Sequence, residues 1–399
     1  MLTPAEATAA IAAAVAPLPD EVVPLACCAG RVLREPVRAE RDAPPFDRVA
    51  MDGIAVASGS IAAGTRRLRI AATLPAGHPP GQLDDPSACI EVMTGASLPG
   101  GCDAVIQAEQ ISQAAGAALL APEATVKRWQ NVHRRGTDAR AGDLLLAPGI
   151  RLRGPEIAIA ASAGLAALRV ARRPSVAVIS TGDELIDPGK PILGHQVRRS
   201  NSYALASALS LQAGAVVEDA HVVDDPAAIA GCIGAALDRH DVLVLSGGVS
   251  AGRFDHVPGV LASLGVRQVF HRIAQRPGKP MWFGVAANGT PVFALPGNPV
   301  SVLVCLARYV LPALARAAGL GLPPPPPVAL ARTVSFKPAL AWFLPVVVEY
   351  DAEGRAWAEP KPTQGSGDFN ALAGTTGFVE LPPGPATHEA GATAPLYRW

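Results

Sequence analysis

Val176-Ala177-Val178-Ile179 runs into Ser180-Thr181-Gly182-Asp183-Glu184, and this junction of an apolar run with a small polar turn decides the fold. The pattern returns twice. Val242-Leu243-Val244-Leu245 meets Ser246-Gly247-Gly248-Val249-Ser250-Ala251-Gly252, and Val292-Phe293-Ala294-Leu295 meets Pro296-Gly297-Asn298-Pro299. Apolar runs of strand length, bounded by turn residues and followed by helical patterns, read as buried parallel strands. Ligands of open α/β sheets bind just past the carboxyl ends of the strands, so three decorated ends in one region predict one site.

Residues 174–321 alternate strand and helix, with helices expected over 202–213 and 227–238 and another starting near Val300. That alternation is a doubly wound α/β domain. Downstream, the proline run from Pro323 to Pro327 reads as a stiff extended linker. Strand patterns at 341–349, 355–359 and 377–381 then predict a compact C-terminal β domain. Upstream, short β-rich runs with frequent Gly and Pro between 46 and 139 read as a small β domain. Thr3-Pro4-Ala5-Glu6 has the form of a capping box with Pro4 at the first helical position, opening a short helix that reaches about Pro17. A further helical stretch covers 155–163.

With 399 residues the chain is too long for one core, and roughly two to four domains are expected. Lys+Arg and Asp+Glu are equal at 34 each, which argues against a general nucleic-acid binder or a polybasic membrane protein. The longest apolar stretch, 299–311, is interrupted by Arg308 and is too short to span a bilayer, so no membrane association is expected. Six cysteines without a C-x-x-C pair or a Cys/His cluster predict reduced thiols in a cytoplasmic protein rather than zinc ligands.

The turns carry the chemistry. In Ser180-Thr181-Gly182-Asp183-Glu184, hydroxyls and backbone N–H groups suit an anion while the adjacent acids suit a cation; together they fit a phosphate bridged by Mg²⁺. A capped helix start is the structural alternative. The glycines of the second turn allow close backbone approach to a ligand, and Asp255 beyond it is a further carboxylate. Neither a dinucleotide fingerprint nor a P-loop is present. Arg272, Arg276 and Lys279, the last two within Arg276-Pro277-Gly278-Lys279-Pro280, put bidentate and point-like cations on a proline-stiffened loop. Pro296-Gly297-Asn298-Pro299 makes a rigid turn whose following helix points its first amides toward the sheet edge. Each of these could also be a plain structural turn.

Taken in order, PPFDRVAMDGIAV, VMTGASLPGGCDAVIQAE, GTDARAGD, RPSVAVISTGDEL, DVLVLSGGVSAGRFD, RPGKP and LPGNPVSV resemble the molybdopterin molybdenumtransferase family, the MoeA/gephyrin type. The resemblance runs from about residue 3 into the last β domain. It implies insertion of molybdate into adenylylated molybdopterin, Mg²⁺-dependent release of AMP, and a cytoplasmic homodimer of elongated subunits in four parts. Those parts would be 1–41 with 140–173 as a discontinuous dimerisation domain, 42–139, 174–322, and 323–399 as a barrel-like domain. It further implies a site shared between the α/β domain of one subunit and the β domain of the other.

The side chains that the resemblance maps as catalytic are Asp52, Thr94, Asp138, Glu184, Asp224 and Asp255; of these, the chemistry of Glu184, Asp224 and Asp255 suits Mg²⁺ ligands. Substrate would be held by Ser180, Thr181, Gly182, Asp183, Ser246, Gly247, Gly248, Ser250, Arg272, Arg276, Lys279, Pro296, Gly297, Asn298 and Pro299. Expected partners are a molybdopterin adenylyltransferase and molybdoenzyme-maturation proteins, not nucleic acid. The chain departs from the family pattern at Arg48-Val49 (usually Asn-Ser), Ile54 (usually Tyr), Thr137 (usually Glu), and Arg272 and Arg276 (commonly Lys). The Arg replacements leave the choice between molybdate and tungstate open, and a non-catalytic molybdopterin-binding scaffold and an adenylyltransferase stand as alternatives.

Overall fold

The computed structural model describes residues 1–249, 255–361, 363–384 and 386–399. It divides into two compact units, one of Met1–Arg34, Pro148–Arg153 and Ala167–Trp399, the other of Glu35–Ala147 and Gly154–Ala166.

The first unit is built on a six-stranded sheet in the order Val216–Val222, Ser175–Thr181, Val242–Ser246, Pro291–Leu295, Trp282–Val285, Arg267–His271. The first four strands are parallel. Trp282–Val285 and Arg267–His271 add an antiparallel edge that the apolar runs did not announce. The three central runs are adjacent, with Ser180 paired to Ser246 and Ser246 to Leu295. Their decorated ends are therefore neighbours, as expected. Helices Asn201–Ala213 and Pro226–Leu237 fall within a residue of the predicted ranges.

Both faces of this sheet are covered, which is why its central strands Ser175–Thr181, Val242–Ser246 and Pro291–Leu295 are buried almost throughout rather than alternating. Leu205 and Leu209 pack with Val176, Val178 and Phe293 on one face. Ile229 and Ile233 pack with Ile179, Leu243 and Leu245 on the other. The helix Pro4–Ala14 has its capping box in place, with Thr3 Oγ1 accepting from the Glu6 N–H and Glu6 reaching back to the Thr3 N–H. Ala7 and Ile11, one turn apart, bury on the α/β core. This i,i+4 pair packs the start of the chain on the sheet of the first unit.

The helix opened by Pro299 runs on through a π-turn at Leu306–Val310 to Ala317. At 19 residues it is longer than the apolar stretch read from sequence and long enough to cross a membrane, yet 67% of it is buried in the protein. Arg308 sits inside it, paired to Glu380 at 2.7 Å. A core helix of a folded domain satisfies both facts.

The C-terminal strands close into a barrel. Ala341–Tyr350, Ala356–Pro360, Pro327–Leu330, Thr393–Arg398 and Gly377–Leu381 pair in that order, and the last returns to the first. Leu330, Leu344, Val346, Val379 and Leu396 fill it. Gln275–Arg276 pairs in parallel with Ala341–Trp342 at the start of the first of these strands, so the basic turn of the α/β domain is docked on the barrel by backbone pairing.

The second unit holds a six-stranded mixed sheet ordered Ala104–Gln107, Gly53–Val56, Ala88–Val92, Arg67–Leu74, Ala117–Leu120, Ile111–Ala114. Val49, Ala55, Ile90 and Val105 pack on one face, and Ile54, Leu68, Cys89 and Ile106 on the other. Ile54, where the family usually has Tyr, is fully buried there. Val37–Arg38 pairs with Leu144–Leu146, beside which lies the helix Gly154–Ser162.

Candidate active site

Strand ends that stop in register leave a step, and here the step opens into a cleft of about 730 Å³. Ser180, Thr181, Gly182 and Glu184 come from the first end, Ser246, Gly247 and Gly248 from the second, and Pro296, Gly297, Asn298 and Pro299 from the third. Asp224 and Asp255 also line it. Ser250, with Ala251 and Gly252, lies outside the described residues.

No helix follows Glu184. The chain instead forms the short strand Leu185–Ile186 against Val197–Arg198, which removes the capped-helix reading. Glu184 turns back on its own loop: a Cβ on Gly182 would sit 2.6 Å from Glu184 Oε2. Asp183, predicted to touch substrate, is absent from the cleft lining. Its Oδ1 accepts the Asp224 N–H at 3.0 Å and so holds the turn that presents Asp224. The glycine of the second turn is needed for a reason other than ligand approach. Gly247 has φ +104°, and a Cβ there would lie 2.7 Å from the Thr181 carbonyl oxygen, so strand packing itself requires glycine.

The hydroxyls of Ser180 and Thr181 are buried and have no hydrogen-bond partner within the protein. Buried polar groups are almost always paired, so two unpaired hydroxyls at a cleft floor are donors awaiting an acceptor. Asn201, which the sequence reading missed, bridges two of the strand ends: its Nδ2 donates to Ser246 Oγ at 3.1 Å and to the Gly297 carbonyl at 2.7 Å. Only its place at the start of a helix next to the cleft marks it, and that needs coordinates. The helix amides at Val300 are not open to a ligand, because the Val300 N–H donates to the Ser366 carbonyl at 3.1 Å.

Arg276 and Lys279 do not line this cleft. They line a second cavity of about 930 Å³ between the α/β sheet and the barrel. The two share Pro280, Pro296 and Asn298 as a common wall. Gln275 anchors the basic turn from below: it is fully buried, donates to the Pro277 carbonyl at 3.1 Å, and accepts from the Tyr309 hydroxyl. Burial pushes the Tyr309 phenol up and the neighbouring Cys305 thiol up to about 12, so both stay protonated. Arg272 is exposed, holds φ +75°, and lines neither cavity. Arg332 and Lys337 of the barrel also face the second cavity, and sequence reading had not singled them out.

Asp52, Thr94 and Asp138 belong to the other unit. Asp52 Oδ1 accepts from both the backbone N–H and the hydroxyl of Thr94, each at 2.6 Å. Those bonds, the hydroxyl first, hold the Asp52 carboxyl below its ordinary range. Asp138 is bonded to His133 Nε2 at 2.8 Å, and His133 Nδ1 accepts from Arg48 at 3.0 Å. The unusual Arg48 thus has a defined partner, and with Nδ1 accepting, the ring donates its Nε2–H to Asp138.

Three family descriptions match the chain in succession: MoeA N-terminal region (domain I and II) over residues 2–164, "Probable molybdopterin binding domain" over 177–316, and MoeA C-terminal region (domain IV) over 327–399. The molybdopterin molybdenumtransferase of Synechocystis sp. is 40% identical over 371 residues, covering 93% of each chain. That of Haemophilus influenzae is 32% identical, over 95% of this chain and 94% of its own. A molybdopterin biosynthesis MoeA protein from Pyrococcus horikosii has a crystal structure that superimposes with TM-score 0.83 at 31% identity, covering 100% of this chain and 99% of that one. On sequence, domain succession and fold together, this chain belongs to the molybdopterin molybdenumtransferase family.

Proposed function

We propose that this chain inserts molybdate into adenylylated molybdopterin, with cleavage of the phosphoanhydride and departure of AMP. The observation that carries this reading is that two cavities share a wall and the lining acids all fall in one of them. Glu184, Asp224 and Asp255 line one, beside Arg198 and Arg199, the latter neutralised by Asp187 and Asp219; Arg276, Lys279, Arg332 and Lys337 line the other, whose described lining has no acid; and Pro280, Pro296 and Asn298 belong to both. A phosphoanhydride bridged to a cation suits the first, and an incoming oxyanion suits the second.

Among the described residues, no three His, Cys, Asp or Glu side chains converge closely enough to hold a metal ion. Mg²⁺ keeps several waters and is held by one or two carboxylates together with substrate phosphates, a role that one or two of the cleft carboxylates suit. Glu184 with Asp224 or Asp255 would hold it, and the ion, when bound, supplies positive charge to the anhydride oxygens. The unpaired hydroxyls of Ser180 and Thr181 donate to phosphate oxygens at the cleft floor. Asp183 keeps Asp224 in place, and Asn201 keeps the second and third strand ends in register with each other. Arg276 and Lys279 bind and orient the oxyanion.

In this reading the protein acts as a homodimer in the reducing cytoplasm. Asp52, Thr94 and Asp138 of one copy complete the site on the other. The described cysteines are all free thiols, which suits that compartment. Incubation with adenylylated molybdopterin, Mg²⁺ and either molybdate or tungstate, followed by assay of active cofactor and AMP, tests the reaction and the choice of metal together. AMP release that needs both Mg²⁺ and the oxyanion supports it; binding of the pterin without AMP release identifies a scaffold instead. Mixing the Glu184→Gln and Asp52→Asn chains tests the shared site, since mixed dimers should regain activity that neither variant has alone.

A further inference from the structure

The 930 Å³ cavity holds more than the basic turn needs for a small oxyanion. Pockets of this size and mixed lining take ligands as large as cofactors. Its cations are Arg276, Lys279, Arg332 and Lys337, and among the described residues that line it there is no acid. Arg332 is also paired with Glu359, so Arg276, Lys279 and Lys337 carry most of its positive charge.

Aromatic surface lies beside that charge. Phe336 and Trp342 stack with centroids 4.8 Å apart and planes 12° from parallel, and both line the cavity half-buried. Their placement is not accidental to the basic turn. Trp342 is the register partner of Arg276 in the parallel pair that docks the turn on the barrel, and the Phe336 N–H is held by the Ala386 carbonyl at 2.8 Å. Nothing fits between rings this close, so a ligand would lie on the outer face of the pair. A flat π-surface rimmed by cations is suited to a planar heterocycle that carries negative charge.

We propose that Phe336 and Trp342 form a stacking platform for the pterin ring of the substrate, with its attached negative charge held by Arg276, Lys279 and Lys337. This rests on the molybdopterin reading of the site. In the proposed reaction AMP leaves and the oxyanion stays with the pterin part, so on that reading the cavity assigned to the oxyanion also holds the pterin. The adenylate then extends past Pro280, Pro296 and Asn298 into the strand-end cleft.

Pterin-6-carboxylate is a suitable probe, because its own emission is quenched when it stacks on an aromatic side chain. The full chain should bind it with quenching. Trp342→Leu should weaken binding about tenfold or more, while Trp342→Phe, which keeps a ring and so controls for barrel damage, should stay close to the unmodified protein. Lys337→Met should weaken pterin-6-carboxylate more than uncharged pterin. AMP should not compete. Equal binding by Trp342→Leu, competition by AMP at this site, or no binding by the unmodified chain would each overturn the platform. The readout needs no turnover, so a chain that binds the pterin but fails to insert molybdenum would count against the reaction and not against the platform.

Discussion

Asp52 and Thr94, 42 residues apart in sequence, meet through one carboxylate oxygen that receives both the N–H and the hydroxyl of Thr94 at 2.6 Å. The bond joins the AMDG and MTGA motifs, which as separate strings had no visible relation. It also fixes a carboxylate in its ionised form on the surface of the mixed-sheet unit.

That geometry predicts a pH dependence. The Asp52 pKa is depressed on folding by the Thr94 hydroxyl first and the Thr94 N–H second. A depressed carboxyl contributes stabilisation that is complete above the unfolded value of about 3.9 and is lost as pH falls through the lower folded value. Thr94→Val removes the larger cause, so the Asp52 carboxyl should titrate closer to its ordinary range. Carbon-detected NMR titration reads this directly, and an unmoved titration curve would refute the assignment.

Glu184→Gln should leave the fold intact and lower molybdenum insertion by about a hundredfold or more, the usual cost of removing a charge-stabilising group from a reacting site. Circular dichroism checks the fold, and cofactor assay checks the rate. Undiminished turnover would exclude Glu184 from the chemistry.

Gly247→Ala places a Cβ against the Thr181 carbonyl at a backbone angle that disfavours side chains. We expect a loss of about 1–3 kcal/mol, seen as a lower melting temperature, together with weaker nucleotide binding as the Ser180–Thr181 strand end shifts. Gly297→Ala, whose added Cβ would meet nothing closer than the Gly247 Cα at 3.7 Å, should be far milder.

Tyr309→Phe leaves the buried Gln275 carbonyl oxygen without the phenol that donates to it. An unpaired buried acceptor costs about 1–3 kcal/mol. Since Gln275 also holds the Pro277 carbonyl, the variant should lose oxyanion affinity at the Arg276–Lys279 turn in addition to stability. Calorimetric titration with molybdate would separate the two effects.

Thiol labelling of the native chain should mark Cys27, the exposed cysteine, first. Burial pushes the Cys102 and Cys305 thiols up to about 12 and Cys89 up to about 11, so these should react only after unfolding. Peptide mass spectrometry after graded denaturant reads the order.

By itself the sequence determined what is local or periodic. Apolar runs of strand length, the helices between them, the Thr3–Glu6 capping box and the polar turns at three strand ends follow from side-chain patterning and short-range hydrogen bonding, and they are present among the described residues. The order of the motifs was equally legible and led to the family. What only the tertiary structure decided depends on register and long-range packing. Asp183 was indistinguishable from Glu184 as a string, yet one holds the Asp224 turn while the other lines the cleft. The strand ends and the basic turn read as one crevice but open into two cavities, because Gln275–Arg276 pairs with Ala341–Trp342 of a barrel strand 66 residues further on. Asn201, Arg332, Lys337 and the Phe336–Trp342 pair carry no motif at all. Their roles arise from which side chains the sheet register and barrel closure bring face to face, and no spacing along the chain encodes that.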